Sequence, residues 1–387
     1  MLLSLAFGVL GAFLPSGDPP RCSFLDDPGY VLHEWGTFTT LAGSDGVLLE
    51  GLTYDDHQLP GFVHQRSTSP AGFDGVRCKM ETPVIYFYSD RERELSLKIG
   101  FQQGILTQWY PEVRELHPAV GPEASMLRGG LLDWGRITVL APGQGAGDLP
   151  VVGSALHWQH AREVDANVIA RRGTNEFERF LFYRGLGSFA LPLGSWVDDQ
   201  GALNLGNNGL DPLPGAIVLA RRGKSLRAQR MEALAPGATT RVLERELPAI
   251  ELPALMALTA RLLEEQGLYA REATAMVNTW RESYFESDGL RVLYPLPPAE
   301  TDWLLPLYAS PAPRESVRVL VGRLDVLSHE VEQQALAAVA RMQSVEDARR
   351  QFGRFALPLV KRLLMLADEG RERDHVRDLA QLLEQSF

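Results

Sequence analysis

From residue 30 to 41, "YVLHEWGTFTTL", apolar and polar positions alternate in a stretch rich in aromatics and threonine, the period-two pattern of a strand. Further strands are expected at 83–89 (PVIYFYS), 94–101 (ELSLKIGF), 105–111 (ILTQWYP) and 136–142 (RITVLAP). Glycine-containing turns join them and no helical crossover separates them, which favours an antiparallel sandwich over a parallel sheet. Strand pattern resumes at 179–185, 216–222 and 239–248, around punctuated loops at 142–150 and 206–215. Beyond residue 248 the period changes from two to about 3.6. Pro253 and Gly267 bracket one amphipathic helix, a second covers 270–286, and the two make a helical hairpin. Strand-like segments at 289–297 and 316–324 then precede a tail, from residue 329, expected to hold about three helices.

The expected fold class is therefore α+β. An antiparallel β-sandwich-like N-terminal domain covers 21–248 and a helix-rich mixed C-terminal domain covers 249–387, behind a signal or anchor segment at 1–20. A length of 387 residues agrees with two domains.

Composition adds less than pattern. Hydrophobic content of 45% with 22% charge is that of a globular chain. The net charge of -11 repels phosphate backbones, and no basic run interleaved with aromatics overrides it, so nucleic acid is not an expected partner. Residues 1–14, MLLSLAFGVLGAFL, are uncharged and too short to span a bilayer. They read as the apolar core of a secretory signal, which places the protein in the periplasm or outside the cell; without a positive n-region or a small-x-small cleavage site, a buried N-terminal strand or a mis-assigned start is the other reading. No second hydrophobic stretch reaches membrane length. Cys22 and Cys78 suit an exported chain with one optional bridge, or are two unrelated thiols.

The densest chemistry lies in "LHWQHAREVD", residues 156–165. On a helix, His157, His160 and Glu163 share about one third of the circumference and could converge on a divalent metal such as zinc. On a strand the two histidines face opposite ways and cannot share an ion. The bland reading is a polar loop in which Arg162 and Asp165 pair locally. In "HEWG", a strand puts His33 with Trp35 and Thr37 on one face and Glu34 with Leu32 and Phe38 on the other. His33, Glu34, Arg162 and Asp165 are thus the candidate catalytic residues. Trp35, Trp109, Trp158 and Tyr183 are candidate ligand-binding rings, because flat aromatics near strand ends can stack on sugar faces; packing in the core or at its rim is the commoner use. The acidic pairs Glu112/Glu115, Glu264/Glu265 and Glu330/Glu332 read as solvated faces, lacking the apolar pocket that raises a catalytic acid. "RRGKS" lacks the glycine a phosphate loop needs at position 218, and there is no G-x-S-x-G, H-E-x-x-H or EF-hand loop.

With VLHEWGTFT, METPVIYFYS, GILTQWYP, HAREVDA and FLFYRGLG in this order, the chain resembles a family of predicted exported bacterial proteins without an assigned activity. That resemblance covers most of residues 30–325, supports the sandwich and transfers no catalytic residue. Two functional classes stand. The first is an exported, envelope-associated binding or scaffolding protein whose partner is a glycan, a peptide or an envelope component. The alternative is a metal-assisted hydrolase built around residues 157–165, in which His157 and His160 bind the ion and His33 or Glu34 serves as general base.

Overall fold

The structure, a computed structural model, describes residues 29–55, 58–66, 73–119 and 126–386. The expected signal segment and Cys22, and with it the optional bridge, lie outside the described residues; Cys78 is buried.

Among the described residues the chain builds three sheets. The largest has nine strands in the order β14 (Ser225–Met231), β13 (Ala216–Arg222), β16 (Gly289–Pro295), β18 (Glu315–Val326), β1 (Val31–Ala42), β3 (Cys78–Tyr88), β10 (Leu181–Gly187), β5 (Gly104–Tyr110) and β2 (His64–Gln65). A second contains β17 (Leu307–Ser310), β4 (Arg93–Phe101), β7 (Gly130–Val139), β8 (Ile169–Arg171) and β9 (Phe177–Glu178), with β6 (Glu115–His117) pairing on β7. The third joins β11 (Leu193–Val197), β12 (Ala202–Asn207) and β15 (Thr239–Leu243). Neighbours run antiparallel except at the centre of the large sheet, where β1 and β18 are parallel and Val31 pairs with Glu315.

The large sheet is covered on both faces, which is why β1 is buried along its whole length. On one face Leu32, Phe38, Ile85 and Phe87 pack against Leu95, Leu97, Trp134 and Ile137 of the second sheet, giving the sandwich that the alternation predicts. On the other face Trp35, Val84, Tyr86 and Phe182 meet a helical layer of α1 (Leu156–Ala161), α2 (Leu252–Glu265) and α3 (Ala270–Thr279). Pro253 lies in the first turn of α2, and its Leu255, Leu262 and Leu263 form the apolar stripe on the sheet. The second helix of the expected hairpin stops its α-helical turns at Thr279 and passes into a π-turn at Glu282–Glu286. Arg291 explains the change, since its buried Nη1 takes the carbonyls of Ser283 at 2.7 Å and Tyr284 at 2.8 Å.

The chain does not part at residue 248 into separate sheets. β16 and β18 enter the middle of the nine-stranded sheet, while β17 joins the second one beyond the short helix α4 (Pro298–Leu304). The tail is helical throughout, with α5 (His329–Val339), α6 (Val345–Phe352), α7 (Ala356–Leu366) and α8 (Arg371–Gln385) enclosing their own core against Leu41, Leu49 and Leu327. Serine side chains cap two of these helices, Ser328 accepting from Val331 and Ser344 from Asp347. Glu332, expected on a solvated face, is instead buried: it accepts from Ser44 Oγ at 2.6 Å and from Arg362 Nε at 2.9 Å, and ties the tail to the loop after β1. No helix among the described residues is long and apolar enough to cross a membrane.

Candidate functional site

A cleft of about 570 Å³ opens where the ends of β1 and β3 meet the loop 142–146, the segment after α1 and the start of α3. Its walls are held by local hydrogen bonding. Asn167 accepts from the amide of Ser89 at 2.9 Å, donates to the carbonyls of Ser89 at 3.0 Å and Leu140 at 2.8 Å, and fixes the segment 162–168 to the end of β3. Gly145, at φ 73°, lets the facing loop pass so close that a Cβ there would lie 2.5 Å from Leu140 and 2.9 Å from Val168.

Four guanidinium groups, from Arg162, Arg179, Arg271 and Arg314, and two carboxylates, Asp90 and Asp165, line this cleft. Arg162 is committed to the fully buried Glu178 in a bidentate pair, Nε to Oε1 at 2.9 Å and Nη2 to Oε2 at 2.6 Å. The same carboxylate accepts from Trp158 Nε1 and from the amide of Arg179, each at 2.8 Å, so a single anion anchors α1 and the strand end that follows it. Arg271 pairs with Asp165 on the exposed rim, and Asp90 takes Arg93 at 3.1 Å. Arg179 donates to the carbonyl of Ala166 at 2.9 Å. Among the described residues, neither Arg179 nor the exposed Arg314 has a carboxylate partner. The cleft therefore presents uncompensated positive charge in an otherwise acidic protein.

Behind the cleft wall lies a closed polar cluster. His33 has no exposed surface, its ring sits 4.3 Å from that of Tyr269 and 5.5 Å from that of Tyr88, and its Nδ1 donates to Glu272 Oε2 at 2.7 Å. Glu272 also accepts from the Tyr88 hydroxyl at 2.6 Å and the Tyr269 amide at 2.8 Å. Burial and then the Glu272 carboxylate push the Tyr88 phenol well above its ordinary range, and burial followed by Glu315 also raises the Tyr269 phenol. Both phenols stay protonated. His33 Nε2 is buried without a hydrogen-bond partner, so this histidine supports the wall of the cleft and does not reach into it.

The other expected site residues disperse. Glu34 faces the opposite side of the sheet from His33, where it accepts from the Tyr183 hydroxyl and from Arg318 Nε at 2.6 Å. Trp35, Trp109, Trp158 and Tyr183 are all buried and pack in the two cores, so none of the four presents a ring to a sugar from the surface. The α-helix holding His157 and His160 ends at Ala161, short of Glu163. Glu163 meets His160 Nδ1 at 3.2 Å near the surface, while the backbone of His157 accepts from Thr279 Oγ1 at 3.3 Å. Among the described residues no three His, Cys, Asp or Glu side chains come together to hold a metal ion. What gathers at the cleft is Arg162 and Asp165, with His33 behind. Arg179, Arg271, Arg314 and Glu272 were not legible as partners of these, because they arrive from separate segments. Glu272 did carry a signal: an acid among Ala273 and Met276 on the apolar side of an amphipathic helix needs a buried partner.

No protein-family model and no curated protein matches the chain. Among solved structures it aligns with the yeast delta-COP-I mu-homology domain complexed with the Dsl1 WxWxV peptide, at 6% identity and a TM-score of 0.25, over 77% of this chain and 96% of that one. The same yeast domain without that peptide aligns at 8% identity, also with a TM-score of 0.25 and the same coverage. A likeness at that level carries no inference about fold or partner.

Proposed function

We propose that this is an exported binding protein whose arginine-lined cleft takes the carboxylates of an acidic peptide. The observation that carries this reading is the pair of guanidinium groups, Arg179 and Arg314, facing a cleft of about 570 Å³ without a carboxylate partner among the described residues. Guanidinium forks match carboxylates in shape as well as charge. The Arg162–Glu178 pair keeps the wall rigid, so little ordering is required on binding. Export rests on the apolar segment 1–14, and with it the expectation of a peptide or glycan partner at the cell envelope.

Fluorescence polarisation with labelled oligoglutamate and oligolysine peptides tests the reading. Oligoglutamate binds and oligolysine does not, binding weakens as salt rises from 50 to 200 mM, and Arg179→Ala with Arg314→Ala weakens it by roughly ten- to a hundredfold, the loss of one or two charge-assisted hydrogen bonds. Equal binding by the double variant, or none by the native protein at millimolar peptide, overturns it. Binding of uronate oligosaccharides in place of peptide reassigns the ligand to an acidic glycan.

A further inference from the structure

Three of the sequence segments singled out above become neighbouring strands, β1 with HEWGTF, β3 with KMETP and β10 with FYRGLG. The register breaks at the same level on each of them. β1 shifts against β3 between Trp35 and Thr37, β10 against β3 between Phe182 and Gly185, and β10 against β5 between Arg184 and Gly185. Bulges bend a strand and re-aim its side chains. Thr82 lies at this level with φ 47°, a left-handed conformation that a β-branched residue adopts only under constraint. Its hydroxyl meets Arg184 Nη2 at 3.4 Å.

The re-aimed Arg184 forms part of the wall of a small cavity, about 30 Å³, together with Thr53, Asp55, Arg66, Lys79 and Thr107. Its mouth is at Asp55, whose side chain is 31% exposed, beside the exposed Gln65. Three cations line it against one carboxylate among the described residues; Glu81, next in range of Lys79 and Arg184, is itself paired with Arg354. Asp55 is shared, pairing with Lys79 and with Arg184 Nη1 at 3.0 Å. Among the described residues Arg66 is met by neutral carbonyls, those of Leu106 at 2.6 Å, Pro118 and His117 at 3.2 Å, and by no carboxylate. Two polar atoms of the lining residues, Arg184 Nε and Thr53 Oγ1, are buried without a hydrogen-bond partner, and both residues are more than nine-tenths buried. A water molecule could satisfy those atoms but would leave the excess positive charge, which is unfavourable in a buried place. An anion meets both needs at once.

We propose that this cavity is a second, separate binding site that takes a single carboxylate group, with Arg184 and Thr53 as its donors and Lys79, already held by Asp55 and the Tyr54 carbonyl, adding only charge. The size supports the class: a space of about 30 Å³ admits roughly two water-sized atoms, as a carboxylate presents and a tetrahedral phosphate exceeds. Arg184 Nε and Thr53 Oγ1 are the uncommitted donors; Lys79 supplies charge from beneath. The group belongs either to a free small acid or to the end of a longer ligand entering past Asp55 and Gln65.

Thermal unfolding of the full chain at pH 7 and constant ionic strength tests this, with sodium acetate, N-acetylglycine and sodium phosphate each compared with sodium chloride. Acetate raises Tm of the native protein in a saturable way and phosphate does not. A rise with N-acetylglycine as well as acetate identifies the end of a longer chain as admissible; a rise with acetate alone identifies a free small acid. Arg184→Gln removes the acetate effect. Because that variant loses the Asp55 pair and can fail to fold, Thr53→Val serves as the second: it keeps shape, breaks no ion pair and weakens acetate about tenfold, the value of one hydrogen bond to a charged group. No rise with acetate over chloride, an equal rise with phosphate, or an unchanged acetate midpoint in Thr53→Val overturns the proposal.

Discussion

Glu178 is the strongest single test of how the cleft is held. Replacing it with alanine removes the acceptor for Trp158 Nε1, for the bidentate Arg162 and for the Arg179 amide at one stroke. Arg162 is left as a cation only 16% exposed with no counterion, and the Trp158 indole N–H is stranded in an apolar core. Breaking a buried pair from one side costs about 3–5 kcal/mol. With an unfolding entropy of about 2.1 cal/mol/K per residue over the 387 residues, each kcal/mol moves Tm by roughly 1.2 °C, so Glu178→Ala is expected to lower it by about 4–6 °C. Glu178→Gln keeps the shape and an acceptor, and should lose about half as much. Urea unfolding followed by tryptophan fluorescence measures both. Arg162→Met in the Glu178→Ala background then closes a double-mutant cycle, with a coupling above about 1 kcal/mol expected for residues in contact. A loss below about 1 kcal/mol for Glu178→Ala, or strict additivity in the cycle, refutes the view that this carboxylate organises the cleft.

Acid should weaken the protein through the charged cluster around β3. Burial acts to raise Asp55 and Glu81, but Arg184 and Lys79 around the first, and Arg354 and Lys79 around the second, overcome it and hold both carboxyls below their ordinary range. Their contribution is present above the unfolded value near 4 and is lost as pH falls below it, so urea stability declines from pH 4 downward and declines less steeply in Asp55→Asn. Gly36→Ala places a Cβ 2.9 Å from Pro83 and is expected to cost about 1–3 kcal/mol, whereas Gly147→Ala, with nothing within 4 Å, is neutral or gains a few tenths; chemical unfolding of the two side by side checks this. Glu332→Ala leaves the buried Arg362 without its inner carboxylate and should expose the junction before α5 to limited proteolysis at a concentration of protease that spares the native chain.

The strands were legible wherever one face was apolar. The alternation over 30–41 gives β1 to within a residue at each end, and Pro253 with Gly267 frames α2. β3 was seen only from Pro83 onward although it starts at Cys78, because Lys79 and Glu81 are polar yet buried, satisfied by Asp55 and Arg354 from distant parts of the chain. A pattern rule assigns such residues to solvent, and the small cavity was invisible for the same reason. The tail's four helices were read as about three, with the apolar faces of α7 and α8 plain and those of α5 and α6 less so. At the cleft, Arg162 and Asp165 line one surface but do not pair with each other as the bland reading has it: their partners Glu178 and Arg271 come from β9 and α3, and pairing across such distances leaves no local trace.

The parallel partnership of β1 and β18 also dictates when the molecule can be finished. Glu34 and Arg318, joined across that pair, are separated by 284 positions, and the centre of the largest sheet cannot close before both have been synthesised. At roughly 5–20 residues per second β1 waits for something like fifteen to sixty seconds with one edge unsatisfied. A sheet whose middle closes last is slow to form and leaves exposed meanwhile a strand that is buried along its whole length in the finished protein. The newborn chain should therefore depend on a holding chaperone, and a ribosome stalled before residue 315 should yield an insoluble fragment even though nearly every other strand has been made.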